Sequence, residues 1–293
     1  PGDWNSDGIP DMAVGARGGD DGGNYAGAVY IICLNSDGTA KTMHKISNST
    51  GGLSSFYTLD EWDQFGGSLA AIGDLNSDGI ADLAVGAIYD NDGSSWAGAL
   101  YILFMTASAT VGGAQKISNS EGGFAVHYTL GLYDRFGSSV ASIDLNSDGV
   151  SELVVGATEY FGTGAVYVLF LSTSGAAVTV QKISNSDGGF AAHYMLDSDD
   201  TYAGDRFGSS VAPLGDMNGD GIVDFAVGSF RDDDGATGGT ESEKGAFYFI
   251  FATTSGTVGD AAKVSMLEGG FASFYALDDD DFFGQSLGLV SNS

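Results

Sequence analysis

The string Asp-x-Asn-x-Asp-Gly begins at Asp3, Asp74, Asp144 and Asp216, at intervals of 71, 70 and 72 residues. Phe-Gly keeps the same beat at Phe65, Phe136, Phe207 and Phe283. Other landmarks hold the phase: Val-Gly at Val14, Val85, Val155 and Val227, and Gly-Ala before an apolar run at Gly27, Gly98, Gly164 and Gly245. Lys-(Ile/Val)-Ser recurs at Lys45, Lys116, Lys182 and Lys263, and Gly-Gly-(Leu/Phe) at Gly51, Gly122, Gly188 and Gly269. A period that runs through all 293 residues leaves no linker and no second domain type. It demands a fold in which each repeat is one supersecondary unit completed by its neighbours.

Each repeat holds four strand-like runs. In the third they are A, Phe136 to Ile143; B, Glu152 to Ala157; C, Gly164 to Phe170; and D, Val178 to Ile183. Runs A to C are rich in Val, Ala and aromatic residues and are bounded by Gly, Asp or Asn, which are strand and turn signals. None sustains a 3.6-residue period. The 47 glycines against 3 prolines point the same way, because each helical Gly costs about 1 kcal/mol relative to Ala. The expectation is an all-β fold, a β-propeller of four-stranded antiparallel blades with four repeats of about 71 residues. Residues 1–293 form a single region with units near 1–64, 65–135, 136–206 and 207–282, and 283–293 completes or starts a blade. The chain enters just after an A run and leaves just after one, Phe283 to Val290. It reads as a mature segment or a fragment. Sixteen runs close into a four-blade ring if Phe283 to Val290 pairs with Asp11 to Ala16. The alternative is an open stretch of a longer array.

Charge narrows the partners. Asp plus Glu number 39 and Lys plus Arg 10, a net −29. A nucleic-acid binder needs a basic face and an anionic membrane needs basic clusters, so neither partner is expected. The longest apolar runs are seven or eight residues, too short for a membrane span, so no membrane insertion is expected. The one cysteine, Cys33, lies in an apolar run and reads as a small buried hydrophobe. Self-repulsion on this scale calls for neutralising cations.

The four acidic loops supply sites for them. In the second, Asp74, Asn76 and Asp78 alternate so that their oxygens can converge. Gly79 permits a sharp turn, the Ile80 carbonyl can face the same point, and Asp82 at position nine can close the shell. Five or six protein oxygens suit Ca²⁺ better than Mg²⁺, and all-oxygen donors argue against zinc or copper. The other loops match: Asp3, Asn5, Asp7, Ile9, Asp11; Asp144, Asn146, Asp148, Val150, Glu152; and Asp216, Asn218, Asp220, Ile222, Asp224. An EF-hand would need Glu at position twelve, where this chain has Val14, Val85, Val155 and Val227. Each loop therefore feeds a strand. The loops hold twelve carboxylates, and up to four Ca²⁺ would take the charge from −29 to −21.

Two further acidic sets read as solvated loops, with extra cation binding as the alternative. One comprises Asp20, Asp21, Asp90, Asp92 and Asp232 to Asp234. The other comprises Asp60, Glu61, Asp63, Asp197, Asp199, Asp200 and Asp278 to Asp281. His127 and His193 align with Phe56 and Phe274, which suggests an aromatic packing position. Asn48-Ser49-Thr50 is a formal glycosylation sequon. No Ser/His/Asp or Cys/His set repeats, so no catalytic residues are assigned and the chain reads as a non-enzyme.

The order Phe-Gly, Asp-x-Asn-x-Asp-Gly-x-x-(Asp/Glu), Leu-x-Val-Gly-Ala, Gly-Ala-Val-Tyr resembles FG-GAP repeats, in the longer microbial or algal subtype carrying Gln-Lys-Ile-Ser at Gln115 and Gln181. The family's Gly-Ala-Pro appears here as Gly-Ala-Arg, Gly-Ala-Ile, Gly-Ala-Thr and Gly-Ser-Phe. The resemblance implies the β-propeller of integrin α-subunits and of extracellular microbial proteins, with strand order A-B-C-D and A innermost. Integrin propellers have seven blades where four repeats are present here. It also implies an extracellular or cell-surface place and an adhesion or binding role towards a protein or carbohydrate ligand. The alternative is a structural segment of a surface filament that works by self-association.

Overall fold

The computed structural model describes residues 2–159, 162–197, 204–233 and 243–288. Its strands, in chain order, are β1 Met12–Ala16, β2 Ala28–Leu34, β3 Ala40–Ile46, β4 Phe65–Gly73, β5 Asp82–Ala87, β6 Ala99–Met105 and β7 Val111–Ile117. They continue with β8 Phe136–Ile143, β9 Glu152–Ala157, β10 Ala165–Leu171, β11 Ala177–Ile183, β12 Val211–Gly215, β13 Asp224–Ser229, β14 Ala246–Ala252 and β15 Val258–Val264. They form the sheets β1-β2-β3, β4-β5-β6-β7, β8-β9-β10-β11 and β12-β13-β14-β15. The fold is all-β and of β-propeller type, with meander sheets in the expected A-B-C-D order, the first holding B, C and D alone among the described residues. The third repeat's strands match the runs read from sequence to within one residue.

Apart from the acid that opens each and Ser229, the B runs are apolar or glycine, in keeping with the burial of β5, β9 and β13 along their whole length. A central strand is covered on both faces, so alternation gives way to a continuous apolar run. The outer D strands alternate more and carry the polar residues.

By Cα proximity the chain divides into two compact units, Pro1–Ser142 with Phe170–Thr179, and Ile143–Leu169 with Val180–Ser293. In the first unit, Phe65 makes a parallel bridge to Gly27, and Phe136 makes one to Gly98. The Phe65 N–H donates to the Ala26 carbonyl at 3.0 Å, and the Phe65 ring is buried edge-on to Tyr101. The backbones come so close that a Cβ on Gly86 would overlap the Gly137 carbonyl oxygen. The Ser68 hydroxyl donates to that same carbonyl at 2.7 Å. In the second unit, Phe207 bridges Gly164 and Phe283 bridges Gly245, and Ser210 donates to the Gly284 carbonyl at 2.7 Å. The Phe-Gly, Val-Gly and Gly-Ala motifs are therefore parts of one junction, repeated four times.

Three expectations change. The strand expected over Phe283 to Val290 is not formed among the described residues. Among the described residues β1 pairs with β2 alone, and residues 284–288 form no strand. Leu289 to Ser293, including Val290, lie outside the described residues. Phe283 is instead anchored where the fourth sheet begins its third strand, its N–H on the Lys244 carbonyl at 2.8 Å.

Second, the Gly-Gly segments form short 3-10 turns, Leu53–Ser55, Phe124–Val126, Phe190–Ala192 and Phe271–Ser273. The first residue of the first three is buried. The position shared by Phe56, His127, His193 and Phe274 closes the turn, its N–H capping that first residue's carbonyl. Phe56, His127 and Phe274 are exposed there, so this is not a packing position.

Third, the second and third acidic sets are not uniformly solvated. Asp63, Asp90 and Asp232 are each 2% exposed. Asp199, Asp200 and Asp234 lie outside the described residues. Cys33 is buried and free, as its apolar run suggests.

Candidate metal loops and buried acid–lysine clusters

The loop between β4 and β5 is built by its own side chains. Asp74 accepts the N–H groups of Asp78 at 2.9 Å and Gly79 at 2.7 Å. Asn76 Oδ1 accepts the Asp78 N–H at 3.0 Å, and Asp78 Oδ1 accepts the Ile80 N–H at 2.9 Å. Such side-chain-to-backbone bonds favour Asp and Asn in turns. Ser77 and Gly79 hold left-handed φ of 62° and 89°, which reverses the chain and keeps the polar rim outward.

The same pattern recurs. Asp3, Asn5 and Asp7 hold the amides of Asp7, Gly8 and Ile9. Asp144, Asn146 and Asp148 hold those of Asp148, Gly149 and Val150. Asp216, Asn218 and Asp220 hold those of Gly219, Asp220, Gly221 and Ile222.

The ninth-position acid stands apart from this rim. Asp82 is buried, and its two oxygens accept the N–H of Leu75 at 3.0 Å and of Met105, on β6, at 3.0 Å. Burial pushes its carboxyl up to about 6, against the pull of those two N–H groups. Asp11 bonds Trp4 and Leu34 in the same way, and Asp224 bonds Met217 and Ala252. Glu152 takes the Leu145 N–H at 2.6 Å. The expected closing ligand thus also ties the second residue of each loop to the sheet beneath.

Among the described residues no three His, Cys, Asp or Glu side chains converge to hold a metal. The donors at loop positions one, three and five are nonetheless all hard oxygens. In the third loop Asp144 Oδ1 is buried with no hydrogen-bond partner, an acceptor that a cation would satisfy. The donor chemistry suits a hard cation, which the first, third and fifth residues would hold, with the ninth acid supporting the loop.

The first loop carries its own cation. Lys41 on β3 lies 2.7 Å from Asp7 Oδ2 and, with the Ile9 N–H, holds the Asp7 carboxyl below its usual range. In the other loops the equivalent oxygen faces the Asn76, Asn146 or Asn218 amide. Lys41→Ala is expected to tighten Ca²⁺ binding at this loop by roughly twofold to fivefold, the worth of an exposed ion pair. Calcium titration by calorimetry checks it, and unchanged isotherms would count against competition by Lys41.

A second polar arrangement was not read from sequence. In the second sheet Lys116 on β7 reaches Asp90 at 2.7 Å and Asp92 at 2.8 Å. It lies over the ring of Tyr101, whose hydroxyl donates to Asp90 at 3.2 Å. In the fourth sheet Lys263 reaches Asp232 at 2.7 Å, and the Tyr248 hydroxyl donates to the same acid at 2.6 Å. The signal was present. Four of the ten cations recur at one repeat position, and the ladder sets Tyr30, Tyr101 and Tyr248 directly opposite Lys45, Lys116 and Lys263.

The sequon asparagine also has a structural role. Asn48 donates from Nδ2 to the Leu59 carbonyl and accepts the Leu59 N–H. Asn119 and Asn185 hold Leu130 and Leu196 likewise. The nitrogen that glycosylation would modify is committed to the fold.

Comparison with known proteins agrees with this architecture. The FG-GAP repeat description matches residues 1–32, 65–103 and 136–169. The fourth repeat lies outside those ranges yet has the same loop and junction. Integrin alpha-2 of Bos taurus is 31% identical over 217 residues, covering 71% of this chain and 16% of the relative. Integrin alpha-V of Gallus gallus is 28% identical over 212 residues, covering 72% of this chain and 17% of the relative. Phosphatidylinositol-glycan-specific phospholipase D of Bos taurus is 30% identical over 163 residues, covering 53% of this chain and 18% of the relative. The chain thus spans about one sixth of the length of these relatives. With its repeated Phe-Gly junctions, its acidic loops and this similarity, the chain is an FG-GAP repeat protein of the integrin α-like kind.

Proposed function

We propose that this chain is a calcium-binding β-propeller region, extracellular or at the cell surface, that acts without catalysis as an adhesion or binding module for a protein or carbohydrate ligand. The observation that carries the reading is the fourfold loop, built from hard oxygen donors at one place in every repeat of a strongly acidic chain. Extracellular modules bind calcium at about 10⁻⁴ to 10⁻³ M, which suits such loops. Residues 1–293 would act as one region, and the similarity to integrin α chains supports the binding role. Among the described residues no helix is long and apolar enough to cross a membrane.

The test is thermal and then functional. Chelation is expected to lower the melting temperature, with Ca²⁺ restoring it better than Mg²⁺. Each site tenfold above its dissociation constant adds about 1.4 kcal/mol. Melting curves indifferent to chelator would overturn the calcium reading. Immobilised chain is then offered glycan and matrix-protein arrays in calcium and in chelator, and no calcium-dependent capture would overturn the module reading.

One observation favours the filament alternative. Among the described residues the outer edge of β1 has no paired strand, and Met12 and Val14 are exposed beside a groove of about 370 Å³ lined by Met12, Ala13, Leu69, Ala71 and Leu83. Open strand edges invite pairing with another chain. Concentration-dependent sedimentation would support self-association, and a monomer at all concentrations would exclude it.

A further inference from the structure

Asp63 sits where the first sheet meets the second. The N–H groups of the two residues after it, Gln64 and Phe65, bond the Tyr25 and Ala26 carbonyls ahead of β2, and its own carbonyl accepts the Tyr89 N–H beyond β5. Its side chain is buried. Oδ2 accepts the Asp60 N–H at 2.7 Å, while Oδ1 is enclosed with no partner.

The ionisable groups facing it are Asp90 in the turn after β5, Lys116 on β7, Tyr101 on β6 and Asp60 in its own turn, with Asp92 next to Asp90. Lys116 is engaged by Asp90 and Asp92, and Tyr101 by Asp90. Asp63, Asp90 and Asp92 together therefore carry three negative charges against one ammonium if all are ionised. A bare carboxylate oxygen in such a place is costly. Among the described residues no metal set converges here, and Lys116 already lies between Asp90 and Asp92. The cation that fits a single enclosed oxygen is a proton.

We propose that Asp63 is a proton-binding site of the folded chain, and that loss of this proton loosens the junction between the first two sheets. Two further observations support it. Burial, and then the charge of Asp90, push the Asp63 carboxyl up to about 7. The second unit repeats the arrangement: Asp205 is buried, accepts the Asp197 N–H at 2.9 Å, and is driven upward by burial and by Asp232. Asp197, Asp232 and Lys263 are the charged groups acting on it, and Lys263 and Tyr248 bond Asp232.

The sign follows from linkage. An aspartate ordinarily titrates at 3.8, so between there and about 7 the folded chain holds a proton that the unfolded chain has released. Stability therefore falls as pH rises through that window and levels off above it.

The experiment follows the melting temperature of the 293-residue chain from pH 5 to 9, in chelator and separately in saturating calcium, for the parent, Asp63→Asn and Asp205→Asn. The chelator series keeps the outcome independent of the calcium reading. Each variant is expected to flatten the decline. Asp63→Asn should melt roughly 5 °C above the parent at pH 8.5, and the Asp63 carboxyl carbon should titrate near neutrality by NMR. A constant difference between Asp63→Asn and parent across the range would overturn the proposal, as would an Asp63 carbon that titrates near pH 4. If the variant does not fold, the parent's carboxyl titration decides alone.

Discussion

Gly86→Ala is expected to be among the more damaging small substitutions in the first compact unit, costing about 3 kcal/mol. Gly86 has no left-handed φ, so alanine would be welcome there on backbone grounds. The obstacle is space. The added methyl would overlap the Gly137 carbonyl oxygen and the Ser68 hydroxyl, the parts that join the second sheet to β8. Backbone cannot step aside as a flexible side chain can, so the junction must open. The control is Gly79→Ala, whose φ is 89° but whose methyl meets nothing within 4 Å. That change carries strain alone, about 1 to 2 kcal/mol. Paired melting curves check both, and a Gly79→Ala loss equal to that of Gly86→Ala would defeat the explanation.

The second large effect is expected at the ninth loop position. Asp82→Ala strips the acceptor from two N–H groups, those of Leu75 and Met105. Each unmet donor costs about 1 to 3 kcal/mol, so about 2 to 6 kcal/mol is expected in chelator, where no cation contributes. Asp78→Ala, at the exposed rim, should cost little in chelator and show its loss only in calcium. Asp82→Asn keeps one acceptor and should fall between. If Asp82→Ala were harmless in chelator and damaging only in calcium, the residue would be a ligand and nothing more.

These two residues mark the boundary of what could be read in advance. Runs such as Glu152 to Ala157 declare themselves as strands because strand propensity and bounding turn residues are local. The alternation Asp74, Asn76, Asp78 is local too, and its turn appears as read. The junction is not local. Phe65 meets Gly27 across 38 positions, and nothing in either motif names the other. Asp63 and Asp90 look like other acidic loop residues, because composition cannot distinguish a carboxylate facing water from one folded under a lysine. The run after Phe283 shares the Phe-Gly-x-Ser pattern of β4 and β8 but forms no strand through residue 288. A strand needs a neighbour's free N–H and C=O groups, so the sequence of the run alone cannot predict it.

The form of the junction bears on how such a chain can change its length. Each repeat contributes Phe-Gly to the junction behind it and Gly-Ala to the junction ahead, as at Phe136 with Gly98 and Phe207 with Gly164. A duplicated or deleted stretch of one whole period therefore brings or removes one matched half of two junctions. The new neighbours meet through the same glycines with no compensating substitution. Unequal recombination in register would be tolerated, and a shift of even a few residues would not, because it would set side chains against backbone where only glycine fits.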